Sequence, residues 1–278
     1  MIVRSDWHIH TEASYDASLP LREILETARQ LGIEKLGITD HLNFNDHAFV
    51  GNLHQSIRDV KALQAQFPQL VMGVELTPIE KPEFDYIAKT GTREGYEPPI
   101  MDKPYPIELA MSKEELKALG VRYAVGGAHW RVDVPHAKQL PVDLDATIRE
   151  WHRQQLWLAC DERVTILAHP WYNGRGLWYA DFDMIPRSMK QELAAALKEN
   201  GKFVECNEDM LCSPKTAERF RHQYAEFMRE LFEMGIPVTY GSDSHKIYAQ
   251  NVHEMETYLQ AVGFREGDFS ALTESDLW

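Results

Sequence analysis

The stretch Ile2-Val3-Arg4-Ser5-Asp6-Trp7-His8-Ile9-His10 reads as a short strand running from an apolar lead-in to a pair of histidines. Alternate side chains of a strand share a face, so His8 and His10 point one way and Ile9 the other. Two imidazoles on one face at a strand end are well placed for a metal ion, although His-x-His also arises by chance in surface strands. A polar loop follows, Thr11 to Ser18, with Ser18 as the expected helix cap. Leu21, Ile24, Leu25, Ala28 and Leu31 then keep helical spacing up to Gly32. The next short strand, Lys35–Thr39, closes on Asp40-His41. The first unit is thus strand, helix, strand, and both strands finish on histidine.

The same alternation runs outward from this unit. Further strands are expected at Leu70–Glu75, Tyr123–Ala128, Val164–Ala168, Phe203–Asn207 and Pro237–Ser242. Between them lie helical patterns carrying Ile57 to Phe67, Leu144 to Ala159, a helix capped by Ser188 and stopped by Gly201, and a long helix from about Pro214 to Gly235. A last helix spans about Val252 to Val262, and the acidic tail to Trp278 takes no element. The segment Asn43 to His54 reads as a loop. Between Pro78 and Ser112 the pattern breaks: six of the 14 prolines fall between Pro78 and Pro106, the mark of a structureless insertion that serves as a lid, a binding loop, a subunit contact or a plain surface excursion. Ser112 and Glu115 then form a capping box for a short helix ending at Gly120. Seven strands alternating with helices predict one domain over residues 1–278, an α/β barrel with a parallel sheet.

Composition bounds the function. The chain has 278 residues, 44% hydrophobic, which supports a sizeable core and argues against disorder. Its formal charge of −14 disfavours a grip on nucleic-acid phosphates. That acidity fits a soluble, self-repelling surface, and also carboxylates gathered around cations. Cys160, Cys206 and Cys212 show no CxxC spacing and imply no disulfide framework. With no signal-peptide pattern and no long apolar run, a cytoplasmic, membrane-free protein is expected. The sequence leaves the oligomeric state open.

In barrels of this type the site lies at the C-terminal ends of the strands. Six of the seven predicted strands end on His8/His10, His41, Glu75, His129, His169 and Asp243/His245. A lone strand-end histidine is usually a hydrogen-bonded rim residue, but six such ends converging on one rim point to a metal site. Imidazole with carboxylate suits Zn, Mn or Fe.

His8-Ile-His10, Thr39-Asp40-His41, Gly73-Val-Glu75, Ala128-His129, Ala168-His169-Pro170 and Ser242-Asp243-Ser-His245 resemble the ordered motifs of the PHP (polymerase and histidinol phosphatase) family. The resemblance runs from residue 6 to 245. It implies a distorted (β/α)7 barrel and a trinuclear metal centre that hydrolyses phosphoesters. One divalent ion would take His8, His10, Glu75 and Asp243, and a second would share Glu75 with His129 and His169. The third would take Asp16, His41 and His245; the family often has histidine or aspartate where Asp16 stands. Glu75 would bridge two metals that together supply hydroxide at neutral pH.

Outside those nine, Arg131 and Arg175 sit on rim loops and could fork onto a phosphate. Asn207 shares a strand face with Glu205 and could form a hydrogen-bonding wall. Trp130, Trp171 and Trp178 suggest an aromatic wall or core packing. Trp171 stands where histidinol phosphatases often carry an acidic residue. His47, His54 and His136 read as solvated loop residues, His152 and His222 as exposed or capping residues on helices. The expected function is hydrolysis of a phosphomonoester of a small metabolite, histidinol phosphate being one candidate. The alternatives are a phosphodiesterase or nuclease on nucleotides or DNA ends, and a non-catalytic PHP scaffold.

Overall fold

The computed structural model describes residues 2–135, 143–172 and 180–278. Seven parallel strands form a nearly closed barrel with helices between them. β1 (Ser5–Ile9) leads through α1 (Leu21–Leu31) to β2 (Lys35–Ile38), whose line is resumed by β3 (His41–Leu42). Helix α2 (His47–Gln64) returns to β4 (Leu70–Leu76). An insertion of β5 (Ile79–Glu80), α3 (Lys81–Thr90) and β6 (Ile107–Glu108) precedes α4 (Lys113–Leu119) and β7 (Tyr123–Gly126). Next come α5 (Leu144–Cys160), β8 (Ile166–Leu167), α6 (Arg187–Glu199), β9 (Phe203–Asn207), α7 (Glu208–Cys212), α8 (Glu218–Glu233), β10 (Val238–Gly241) and α9 (Val252–Ala261). The strand order is β1-β2-β4-β7-β8-β9-β10, with β3 paired to β4. Beyond the strands proper, Asp243 N–H donates to His8 O at 2.8 Å and His10 N–H to Ser244 O at 3.2 Å, which join the first strand to the last.

The alternation of β4, β7 and β9 fills the barrel in layers. Val71, Tyr123 and Phe203 lie in the lower interior with Trp7 and Leu272. Two residues further along each strand the same face carries Gly73, Val125 and Glu205, and two further Glu75, Gly127 and Asn207. Tyr123 meets Trp7 edge-on at 5.6 Å, its hydroxyl donates to Trp7 O at 2.8 Å and the Trp7 indole N–H to Ser5 Oγ at 3.0 Å, so both polar side-chain groups of these two rings are satisfied. β1 shifts register against β2 between Asp6 and Ile9. That irregularity lets Trp7 join the plug while His8, the next residue, faces the rim. A second and larger apolar core lies between the strands and the helices.

Several local expectations are corrected. Neither Ser18 nor Ser188 caps a helix: Pro20 and Pro186 hold the N-cap positions of α1 and α6. Each proline also pre-sets the backbone just ahead of the first turn. Asn43 to His54 is not all loop, because Asp46 accepts from the N–H groups of Ala48 and Phe49 and starts α2 at His47. The Pro-rich insertion is not structureless, since Ile79–Glu80 pairs antiparallel with Ile107–Glu108. The helix expected from about Pro214 is α8, which starts at Glu218, and a further short helix, α7, precedes that proline. The tail is docked: Ser270 N–H bonds Val238 O at 2.8 Å, Trp278 N–H bonds Arg122 O at 2.7 Å, and Leu272 is buried under the barrel. The capping box at Ser112 and Glu115 is present as read. Among the described residues, no helix is long and apolar enough to cross a membrane.

Candidate metal centre

Glu75 stands at the centre of the rim and is fully buried. Its Oε2 faces His8 Nε2 at 3.4 Å, His10 Nε2 at 3.4 Å and His41 Nδ1 at 2.7 Å; its Oε1 faces His129 Nε2 at 3.3 Å and His169 Nε2 at 3.2 Å. One carboxylate therefore reaches five imidazoles, two through one oxygen and three through the other. Asp243 Oδ1 lies 3.3 Å from His10 Nε2 and 3.6 Å from His8 Nε2. Asp16 Oδ2 lies 3.4 Å from His41 Nε2 and 3.5 Å from His245 Nε2. All nine strand-end and loop residues picked from the sequence come together here. They include three sets whose donor atoms lie within 4.8 Å of one another: His8/His10/Asp243, Glu75/His129/His169 and His10/His41/His245.

The outer ring nitrogens show why the inner ones converge. His8 Nδ1 donates to Glu205 Oε1 at 2.7 Å, and His245 Nδ1 to Asp243 O at 2.8 Å. Ser14 gives its proton to Asp40 Oδ1 at 2.9 Å, so His10 Nδ1, 3.1 Å from Ser14 Oγ, must be the donor in that pair. His129 Nδ1 pairs with Thr77 Oγ1 at 3.0 Å. With protons on Nδ1, the Nε2 lone pairs of His8 and His10 face each other at 3.1 Å. Lone pairs packed this closely without an intervening proton or cation repel, whereas outward-bonded imidazoles with inward lone pairs are what a metal requires. The residues present fit divalent cations.

Burial and the carboxylates pull the rings in opposite directions, and burial is the larger single influence on His8, although Glu205, Glu75 and Asp243 together raise its ring well above the ordinary value. Burial holds His10 down at about 3, with His41 and His245 adding to the effect, so its ring is neutral. Burial works against protonating His41, but Glu75 and Asp16 outweigh it and raise the ring to about 10. For Glu75, burial favours the acid, and His129, His8 and His41 overcome it and hold the carboxyl well below its usual range. The carboxylates of this rim draw positive charge into a buried space.

Two glycines and two strained residues make room for these groups. A Cβ on Gly127 would come within 2.6 Å of Glu75 Oε1, and one on Gly241 within 1.8 Å of Glu205 Oε1. His169 and Asp243 adopt left-handed backbone, φ 27° and 51°. His169 is held there by its N–H donating to Glu205 Oε2 at 2.8 Å, Asp243 by its N–H donating to His8 O. Non-glycine residues in this region sit where the surroundings over-determine them, commonly at functional sites.

Glu205 is the residue sequence reasoning passed over. Its carboxylate accepts from His8 Nδ1, from His169 N–H and, at 3.2 Å, from Asn207 Nδ2. Its one signal was its place beside Asn207 on the inner face of the sixth barrel strand. Asn207 also donates to Asp243 Oδ2 at 3.1 Å and caps α7 through Met210 N–H. Asp40 is a second such residue, accepting from Thr11 N–H, Thr11 Oγ1 and Ser14 Oγ and so fixing the loop that presents Asp16. Arg131 forks onto Asp133, 2.8 Å from Nε, and Arg175, His136 and Trp178 lie outside the described residues. Trp171 is buried and stacks on His152 at 5.9 Å. His152, expected to be exposed or capping, is buried and bonds Glu192 Oε2 at 2.9 Å.

Comparison with known proteins bears on this geometry. The family model of the PHP domain matches residues 6–209. The chain is 28% identical over 244 residues to a probable phosphatase of Acetivibrio thermocellus, covering 86% of this chain and 78% of that one. Its fold resembles the crystal structure of histidinol phosphate phosphatase from Lactococcus lactis subsp. lactis, complexed with zinc, L-histidinol and phosphate. The TM-score is 0.71 at 19% identity, over 99% of this chain and 98% of that one, a likeness of fold. With the family's model spanning every barrel strand but the last, and that last strand closing the same rim with Asp243 and His245, this chain belongs to the PHP family.

Proposed function

We propose that the chain is a metal-dependent phosphomonoesterase acting on a small phosphorylated metabolite, histidinol phosphate being one candidate. The observation that carries this reading is Glu75, one oxygen turned to His8, His10 and His41 and the other to His129 and His169. His8, His10, Glu75 and Asp243 would hold one divalent ion; Glu75, His129 and His169 a second; Asp16, His41 and His245 a third. Zinc, manganese or iron suits this imidazole and carboxylate set. When bound, such ions bring the pKa of water toward neutrality and offset charge on phosphoryl oxygens.

The chain's own residues orient the site. Glu205 keeps the His8 proton on Nδ1, Ser14 does the same for His10, and Asn207 steadies Asp243. The insertion leaves from the rim directly after β4, and its Arg93 lies 4.0 Å over the ring of Phe44, which stacks on Trp130 next to His129. That placement supports its role as a wall of the pocket. Arg131 would have to exchange Asp133 to clamp a phosphate. The −14 charge weighs against a nuclease.

The test is metal content by mass spectrometry together with phosphate release from a panel of phosphorylated metabolites. Two or three equivalents of a transition metal and metal-dependent release from a small ester are expected. A metal-loaded protein that hydrolyses none of the panel would overturn the reading.

A further inference from the structure

Rings, and not only imidazoles, build the rim beside His41 and His129. Tyr15 lies 5.2 Å from His41, tilted 31°, and meets Phe49 edge-on at 5.7 Å. Phe49 touches Phe44 at 4.9 Å, and Phe44 stacks on Trp130, whose ring is 6.1 Å from His129. His41 and His129 are themselves 5.6 Å apart, so this circuit of rings closes on the metal centre. On the opposite flank Tyr172 lies 5.2 Å from His169 and 5.9 Å from His129.

Tyr15 differs from the others in standing 57% exposed. Of the large apolar side chains exposed among the described residues, it is the one aromatic ring. It is also held in place. Asn43 Nδ2 donates to its hydroxyl at 3.4 Å, and the loop beneath is tied down by Asp40. A fixed aromatic face left in water next to Asp16 and His41 gains most when another ring covers it. A phosphoryl group at the donor sets leaves the substituent on its ester oxygen to run outward across this rim.

We propose that Tyr15 is a specificity-determining residue that stacks on a planar aromatic leaving group, so that aryl phosphomonoesters are favoured over saturated ones. The inference rests on the phosphomonoesterase reading and narrows its substrate class. A ring of either kind buries similar apolar area, but an aromatic one also matches the quadrupole of Tyr15.

The experiment uses zinc-loaded protein and two ligands whose P–C bond resists hydrolysis, phenylphosphonate and cyclohexylphosphonate, with affinities measured by calorimetry. Phosphate release from phenyl phosphate and cyclohexyl phosphate is followed in parallel. The phenyl ligand is expected to bind roughly threefold to tenfold tighter, the scale of one aromatic stacking contact. Tyr15→Phe should keep that ratio, and Tyr15→Leu should bring it close to one at unchanged zinc content. Equal affinities in the wild type, or a ratio that survives Tyr15→Leu, overturn the proposal, and hydrolysis of either ester then leaves the phosphomonoesterase reading standing. Where the leucine variant fails to hold zinc, Tyr15→Ala takes its place, with the same ratio close to one expected. No hydrolysis of either ester by zinc-loaded protein also overturns the proposal, and the phosphomonoesterase reading is then decided by the panel of phosphorylated metabolites.

Discussion

The two ends of the barrel interior are made by the same strand faces and are opposites in chemistry. At the N-terminal end Trp7, Tyr123, Phe203 and Leu272 form a dry plug whose hydroxyl is satisfied by a backbone carbonyl. At the C-terminal end the same faces carry Glu75, Glu205 and Asn207, ringed by histidines and strained at His169 and Asp243. The lower end spends its side chains on burial and keeps ordinary backbone. The upper end accepts buried charge and left-handed conformations that burial alone would never favour. Stability and chemistry are thus separated by two or four residues along a single strand.

Substitutions at each end can break or sharpen this division. The largest effect is expected from Glu75→Gln, which nearly keeps the shape but removes the charge facing five imidazoles. Metal content should fall, and kcat on an aryl phosphate should drop on the order of a thousandfold or more. Unchanged rate with unchanged metal content would make the upper layer structural and erase the contrast. Tyr123→Ala, at the other end, should cost about 3–5 kcal/mol in urea unfolding by opening a cavity under the barrel. Its folded fraction should still bind metal with wild-type stoichiometry, and loss of metal there would show the two ends to be coupled.

Glu205→Gln probes the boundary between them. The carboxylate accepts from three donors, so an amide must turn an N–H toward one of them. Metal affinity, read by chelator competition, should weaken by roughly 10- to 100-fold, the usual cost of losing a group that orients a ligand histidine. Affinity within a factor of two of wild type would rule out an orienting role.

The smallest effect concerns Glu208, buried behind the rim, where it accepts from the Tyr240 hydroxyl and from Asn251 N–H. Burial raises its carboxyl to about 7. The folded state therefore holds a proton that the unfolded chain gives up near its ordinary value of 4.5. The stability it contributes is complete below that value and is lost as pH rises through about 7. The drop in Tm between pH 5 and pH 8 should be smaller for Glu208→Gln than for wild type. An identical drop would locate the titration elsewhere.

What could be read from the sequence follows the same division. The barrel was legible because each strand is a short apolar run closed by a residue of distinctive chemistry, and the nine strand-end and loop donors converge for that reason. Groups whose purpose lies in a partner far along the chain were not. Glu205 looks like any inward strand residue until His8 and His169 are seen on either side of it. The pairing of Ile79–Glu80 with Ile107–Glu108 is two residues long and non-local, so no periodicity announces it. Ser18 and Ser188 misled because a cap preference is local: α1 starts two residues beyond the position Ser18 would cap, α6 starts ahead of Ser188, and a proline holds each N-cap. The tail carries too few apolar residues to predict an element, yet Leu272 and the backbone bonds of Ser270 and Trp278 seat it under the barrel.

The union of the first and last barrel strands has a consequence for the order of synthesis. His8 and Ser242 bond across 234 residues of chain, and the donor set of His8, His10 and Asp243 straddles that seam. A nascent chain emerging from the ribosome exposes His8 and His10 early and must wait for the last strand before Asp243 can join them. Glu75, His129 and His169 are all synthesised before Asp243 and His245, so the two sets that need the last strand are the last to have all their donors.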